Sequence, residues 1–297
     1  MKSFEYLAPI PAFEYAVPRT LTELFETLEG HGRELQVLAG GTDLTIALKE
    51  RTSTPRTVVD LGRLRKELGG IEVVDGILRI GALATFSQVE SSPFVARYAN
   101  ALRQAAANVG TLQIRSMATL GGNLATASPA ADSAPPLIAL GATVTLLSRT
   151  GTRTLPVQGV FTGPKRNGLR PGEIISSIEI PADGEVRSAW TRAAMRNENA
   201  LSTVSAAVAC TISDGRFGPS RVALGAVAPT PILADRASAA MTGSEATPDE
   251  AGRVAALAAE DASPISDIRA SASYRKHLVS VLTRRLILQV LSEAMAT

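Results

Sequence analysis

Two glycine-punctuated segments carry the residues best suited to hold an anion: Leu38-Ala39-Gly40-Gly41-Thr42-Asp43-Leu44 and Thr119-Leu120-Gly121-Gly122-Asn123-Leu124-Ala125. Each joins an apolar approach to a Gly-Gly pair and then to small polar side chains. Glycine lacks a Cβ, so its backbone takes positive φ at low cost and brings its N–H close to a ligand. A row of such donors cradles an anion. The chemistry expected is the binding of a phosphate-bearing cofactor between two turns, although Gly40-Gly41 alone is also what a plain strand-to-helix turn needs. Downstream, Ala127-Ser128-Pro129-Ala130-Ala131-Asp132-Ser133 is a run of small residues that leaves room for bulky ligand atoms. Asp132 offers a carboxylate acceptor for a ribityl or ribose hydroxyl; Asp132 and Ser133 are also placed to cap the next helix.

Other reactive side chains are scarce. Cys210 is the only cysteine of the 297 residues, so this chain forms no internal disulfide and no all-cysteine iron–sulfur cluster. It lies in the apolar run Val204 to Ile212, where an inert buried thiol is expected. His31 and His277 lack ligand-like spacing, so no metal site is expected. There is neither a G-x-G-x-x-G opening a helix after a strand nor a Walker A pattern. Thirty basic residues against 28 acidic ones leave a net charge of +2, and aromatic residues make up 4%, which argues against a nucleic-acid partner. Met1-Lys2-Ser3-Phe4-Glu5-Tyr6 has no secretory apolar region and no apolar run is long enough to span a bilayer, so a cytoplasmic location is expected.

The elements that must position these residues follow from periodicity. Leu21, Leu24, Phe25 and Leu28 have helical spacing after a Thr20/Glu23 capping box. Glu34 to Ala39 alternates as a strand, Thr42 or Asp43 caps a short helix through Leu48, and Thr57 to Leu61 is the next strand. Ile71 to Val74 and Ile77 to Ile80 form a hairpin over Asp75-Gly76. Ser87 and Glu90 form a second capping box, Ala101 to Ala107 and Pro135 to Leu140 are helical, and Ala142 to Leu147 and Glu173 to Ile180 are strands. Residues 182–187 are turn-rich and mark a domain boundary. Strands around Ala189 to Met195, Thr203 to Ile212 and Arg221 to Val227 predict a small antiparallel sheet, followed by helices over Pro248 to Ala262 and Tyr274 to Ala294. In the last helix, Tyr274, Arg275, Lys276, Arg284 and Arg285 read as a solvated face over a core stripe of Leu278, Val279, Leu282, Leu286 and Leu291.

The two glycine segments, the approach Gln113-Ile114-Arg115, and the runs Leu224-Gly225-Ala226-Val227-Ala228-Pro229-Thr230-Pro231 and Ile265-Ser266-Asp267-Ile268-Arg269-Ala270-Ser271-Ala272-Ser273-Tyr274-Arg275 together resemble the FAD-binding, or medium, subunit of molybdenum hydroxylases. This is the flavoprotein family of xanthine dehydrogenase and carbon monoxide dehydrogenase, and the resemblance covers nearly the whole chain. It implies an α+β fold: a two-subdomain FAD-binding unit of the vanillyl-alcohol-oxidase (PCMH-like) type over 1–182, divided near residue 62, then an α+β C-terminal domain with a small antiparallel sheet over 183–297.

By resemblance, Leu38, Ala39, Gly40, Gly41, Thr42, Asp43 and Leu44 wrap the pyrophosphate. Ala118, Thr119, Gly121, Gly122, Asn123 and Ala125 line the rest of the cofactor, and Asp132 takes a hydroxyl. Val109 and Ile175 match apolar positions near the flavin ring. Many relatives carry a lysine near the ring where this chain has Thr191 or Arg192, so Arg192 either supplies that charge or faces solvent. Gly41-Thr42-Asp43 departs from the Gly-His-Ser of the carbon monoxide branch, which disfavours that substrate. The resemblance also implies no catalytic residue here. A large partner subunit would hold a molybdopterin cofactor, a small one two-iron two-sulfur clusters, and the complex would be a dimer of heterotrimers. A self-sufficient flavin oxidoreductase, or a flavin-less binding or assembly module of the same fold, are the alternatives.

Overall fold

The computed structural model describes residues 10–31 and 34–295; Met1 to Tyr6, Gly32 and the His31 side chain lie outside the described residues. The chain begins with strand β1 (Glu14–Ala16), helix α1 (Leu21–His31), strand β2 (Leu35–Leu38), helix α2 (Leu44–Lys49), strand β3 (Thr57–Asp60) and helix α3 (Arg65–Leu68). The strands lie in the order β1-β3-β2 with both pairs parallel. Parallel neighbours require crossover connections, which α1 and α2 supply. Leu24, Phe25 and Leu28 pack on Val59, Leu61 and Leu64, as their spacing predicts. Thr20 Oγ1 accepts from Glu23 N at 3.2 Å, while the Glu23 carboxylate reaches Arg19 N, one residue before the position a capping box requires.

Asp75 and Gly76, at φ of 50° and 75°, turn the hairpin of β4 (Ile71–Val74) and β5 (Ile77–Gly81). Six helices follow: α4 (Phe86–Ser91), α5 (Pro93–Tyr98), α6 (Asn100–Ala107), α7 (Leu112–Met117), α8 (Leu120–Thr126) and α9 (Ala134–Ala139). Then come β6 (Thr143–Ser148), β7 (Gly151–Pro156), the short pair β8 (Phe161–Gly163) and β9 (Arg166–Asn167), and β10 (Ile174–Pro181). An antiparallel sheet in the order β4-β5-β10-β6-β7 packs Leu78, Ile80, Val144, Leu146 and Ile178 against Phe86, Leu102, Leu120, Leu124 and Leu137.

One cap sits in a different frame from the Ser87/Glu90 box expected. Thr85 Oγ1 accepts from Gln88 N, and Gln88 Oε1 accepts from Thr85 N at 2.8 Å. Both frames satisfy the same local pattern. The observed one turns Phe86 and Val89 fully inward. Ser87 Oγ is left buried without a partner, and Glu90 pairs with Arg115 at 3.1 Å.

The remaining chain forms an antiparallel sheet of β11 (Arg187–Ala194), β12 (Ser202–Ser213), β13 (Arg216–Gly225) and β14 (Ile232–Leu233), in that order. β13 begins well before the expected Arg221, because Arg216 pairs directly with Ser213 across the Asp214-Gly215 turn. Helices α10 (Asp235–Met241), α11 (Pro248–Asp261) and α12 (Ala272–Met295) cover one face, with Val279, Leu286 and Val290 against Val204, Val208 and Leu224. The other face presents Trp190, Ala207, Ala209 and Ala223 to the central core. Arg275, expected on a solvated face, is 1% exposed. Its Nη1 donates to the carbonyls of Thr203 and Ala226, and its Nη2 to Asp267 Oδ1. A buried guanidinium is tolerated only with such partners.

Candidate cofactor-binding site

Strand β2 ends at Leu38, whose carbonyl accepts from Leu61 N at 2.9 Å. The next residues leave the sheet, and Gly41 takes a φ of +73°, a conformation that favours glycine. Helix α2 then starts with Thr45 N donating to Gly41 O and Ala47 N to Asp43 O. Neither Thr42 nor Asp43 caps it with a side chain. Instead Asp43 Oδ2 accepts from Thr126 Oγ1 at 3.0 Å, tying the loop to α8. The N–H groups of Ala39, Gly40, Gly41, Thr42, Asp43 and Leu44 donate to no protein acceptor among the described residues. Asp43 is exposed and the other five residues are half-buried, so the row offers a run of free main-chain donors to an acceptor.

The second glycine segment is a correction to the expected turn: it is helix α8, with Thr119 as its N-cap. Gly122 N donates to Thr119 Oγ1 at 3.1 Å, Leu120 N to Ala84 O and Gly121 N to Ala82 O, so its first-turn donors are spent within the protein. Its glycines serve close packing. A Cβ on Gly121 would lie 2.5 Å from the Ala82 Cβ, and one on Gly40 would lie 2.1 Å from the Met117 carbonyl oxygen. At Gly122 a Cβ would meet Thr119 Oγ1 at 2.8 Å and Ala39 Cβ at 3.8 Å. Gly40, Met117, Ala118, Ala39 and Gly122 therefore bring the two segments together, one supplying donors and the other a wall. Ala125, further along α8, accepts from Asn167 Nδ2 at 2.7 Å.

Beyond α8, Asn123 Oδ1 accepts from Ser133 Oγ at 2.7 Å. Asp132 is 7% exposed, and neither it nor Ser133 caps α9 with its side chain. Asp132 Oδ2 accepts from Arg192 Nη1 at 2.8 Å, and Oδ1 from Ser202 Oγ at 2.5 Å. Burial pushes the Asp132 carboxyl above its ordinary value, against the Ser202 hydroxyl and the Arg192 guanidinium, which pull it down. Arg192 does not face solvent: its side chain is 6% exposed. Ser202 is the residue that sequence reasoning missed; nothing in its local pattern marks a partner 70 positions away. Thr126, the partner of Asp43, directly follows the second glycine segment, between it and the small-residue run that starts at Ala127.

Val109 is half-buried beside Gly110, whose carbonyl accepts from Asn199 N, so it borders the 196–200 turn that Arg192 also holds. Ile175 is 6% exposed within the central core. A cleft of about 370 Å³ lies alongside, lined by residues of α6 and β11, among them Gln104, Asn108 and Arg192. Among the described residues no cluster of His, Cys, Asp or Glu could hold a metal ion, and no helix is long and apolar enough to cross a membrane.

A pyrophosphate carries charge that a row of main-chain donors matches without a cationic side chain, and Gly41 at positive φ keeps that row open. The residues present fit such a group. The fold and site thus fit a class: an α+β protein whose free backbone donors suit a nucleotide-type cofactor, outside the G-x-G-x-x-G and Walker loops. Comparison with known proteins narrows it. Residues 11–183 match the FAD binding domain in molybdopterin dehydrogenase, and residues 189–290 the CO dehydrogenase flavoprotein C-terminal domain. The chain is 35% identical over 266 residues, 89% of each protein, to the xanthine dehydrogenase FAD-binding subunit of Escherichia coli O157:H7. It is 32% identical to the nicotinate dehydrogenase FAD-subunit of Eubacterium barkeri, covering 95% of this chain and 97% of that one. The crystal structure of quinoline 2-oxidoreductase from Pseudomonas putida 86 matches with a TM-score of 0.91 at 32% identity, over 97% of this chain and 100% of that one. The chain belongs to the FAD-binding flavoprotein family of molybdenum-containing dehydrogenases.

Proposed function

We propose that this chain is the FAD-binding electron-transfer subunit of a molybdenum hydroxylase, organised as an FAD-binding unit over 1–182, divided near 62, and a C-terminal domain over 183–297. The observation that carries the reading is the unpaired donor row from Ala39 to Leu44, held against the end of α7 by the Gly40–Met117 contact. When bound, FAD takes electrons singly and releases them in pairs, which suits a position between iron–sulfur clusters and NAD, a quinone or oxygen. The protein contributes binding and placement. Residues Leu38 to Leu44 hold the pyrophosphate, Ala118 to Ala125 wall the cofactor, and Asp132 accepts a hydroxyl, while Val109 and Ile175 border the ring region. A large molybdopterin subunit hydroxylates the substrate and a small subunit with two-iron two-sulfur clusters delivers the electrons, in a dimer of heterotrimers located in the cytoplasm.

The test is the visible spectrum of the purified native protein, with the released cofactor and any co-purifying chains identified by mass spectrometry. FAD together with a molybdenum subunit and an iron–sulfur subunit is the expected result. A folded, colourless chain that takes up no added FAD overturns the reading.

A further inference from the structure

We propose that Arg192 and Ser202 are positioning residues for the cofactor: they act on it through Asp132, whose carboxylate they hold aimed and whose charged form they favour, without touching it themselves. The proposal rests on the FAD reading and on Asp132 accepting a cofactor hydroxyl.

Protein alone already encloses this group. The side chains of Arg192 and Asp132 are 6% and 8% exposed, and Ser202 is fully buried. Arg192 spends its donors inward: Nη1 on Asp132 Oδ2 at 2.8 Å and on Ala200 O at 3.1 Å, Nη2 on Asn197 O at 3.3 Å. Three of its five N–H donors are thereby held by the protein. The carboxylate differs, because each oxygen accepts two hydrogen bonds and the structure uses one on each. One acceptor site per oxygen stays open. Ser202 is itself anchored, since its carbonyl accepts from Arg269 Nη1 at 3.4 Å and Arg269 is paired to Asp267 at 2.7 Å. The chain Asp132–Ser202–Arg269–Asp267 thus ties the carboxylate to the loop before α12.

Arg192 from β11 is the charged group that meets Asp132; β12 presents the uncharged Ser202. A buried carboxylate without its cation titrates upward. Once protonated, it turns one acceptor oxygen into a donor. Removing Arg192 takes away a group that pulls the carboxyl down, so cofactor binding should fall off from a higher pH in the variant than in wild type.

The experiment is titration of the apo form of the full chain with FAD, followed by flavin fluorescence between pH 5.5 and 8.5, with thermal melts of each variant. Wild type is expected to keep its affinity to a lower pH than a variant that lacks the cation. Arg192→Gln is expected to weaken binding about tenfold or more relative to wild type at the acid end, and to approach wild type as pH rises. Arg192→Lys restores much of the wild-type profile. Asp132→Asn is weak at every pH, and the double variant Arg192→Gln/Asp132→Asn binds no worse than Asp132→Asn alone. If Arg192→Gln does not fold, Ser202→Ala carries the same test with a smaller shift. A uniform loss at all pH values, or additive losses in the double variant, overturns the positioning role while leaving FAD binding intact. Wild-type protein that takes up no FAD overturns the functional reading and this proposal with it.

Discussion

The α-carbon of Gly40 lies against the main chain of Met117, so closely that a methyl group on it would sit 2.1 Å from the Met117 carbonyl oxygen. Backbone meets backbone here, and neither side has a flexible end to swing away. This contact sets the donor loop against the junction of α7 and α8, and it depends on one missing Cβ.

Gly40→Ala is therefore expected to separate the two segments. The cost should be at least the 1–3 kcal/mol typical of overpacking, and about 2–4 kcal/mol is our expectation for a clash with main chain. Gly41→Ala, which meets only side-chain atoms at 3.0 Å or beyond but inherits a φ of +73°, should cost about 1 kcal/mol. Thermal denaturation and FAD content of the two variants check the order; a milder Gly40→Ala would remove the contact from its structural role.

Gly122→Val is expected to abolish FAD retention with the fold preserved. Its Cβ meets Thr119 Oγ1 at 2.8 Å, costing the cap about 1 kcal/mol, and its methyl groups project where Ala39 approaches. Equal FAD occupancy in the folded variant would refute this.

For Asp132→Ala the expected effect is on stability before cofactor. It leaves Arg192 buried without its anion, a loss of about 3–5 kcal/mol for a broken buried pair. Urea denaturation of the apo protein reads it out. A loss under 1 kcal/mol would mean that water replaces the carboxylate.

Asp267 accepts from Arg269 and Arg275, which hold its carboxyl well below the usual range, the Arg269 hydrogen bond contributing most. A depressed folded value stabilises above the unfolded value of about 3.9 and is lost as pH falls through the folded one. Asp267→Asn should thus lower Tm at pH 7, with the gap to wild type closing progressively below about pH 4. A gap that stays constant down to pH 2 would assign the effect to packing.

Cys210 is 1% exposed and burial pushes its thiol up to about 12. It should resist thiol reagents at pH 8 in the native protein and react stoichiometrically once unfolded. Rapid native labelling, followed by mass spectrometry, would place it at a surface instead.

The elements with strong local period were legible in the chain alone: α1, the β4–β5 hairpin over Asp75-Gly76, β10, and the long helices α11 and α12. In each, one face is apolar at helical or strand spacing and the turn residues tolerate positive φ, so local preference and burial agree. The glycine motifs, the lone Cys210 and the absence of the two common nucleotide loops also stood in the sequence, and they pointed to a cofactor held on backbone donors. β1 and β8–β9 are two or three residues long, too short to show a period.

What tertiary structure decided was which of two locally equivalent choices was taken. The Thr85 and Ser87 capping frames are indistinguishable until Phe86 and Val89 must both turn inward. Gly121-Gly122 reads as a turn until Ala84 takes the Leu120 N–H, Ala82 that of Gly121 and Thr119 Oγ1 that of Gly122, making the segment the start of a helix. Arg275 reads as solvated until Asp267 and the backbone carbonyls of Thr203 and Ala226 close around it. Asp132 reads as a cap until Arg192, 60 residues on, and Ser202, 70 residues on, take its oxygens. Hydrogen-bond partners at such separations leave no mark on spacing, because they are chosen by which surfaces the packed sheets bring face to face.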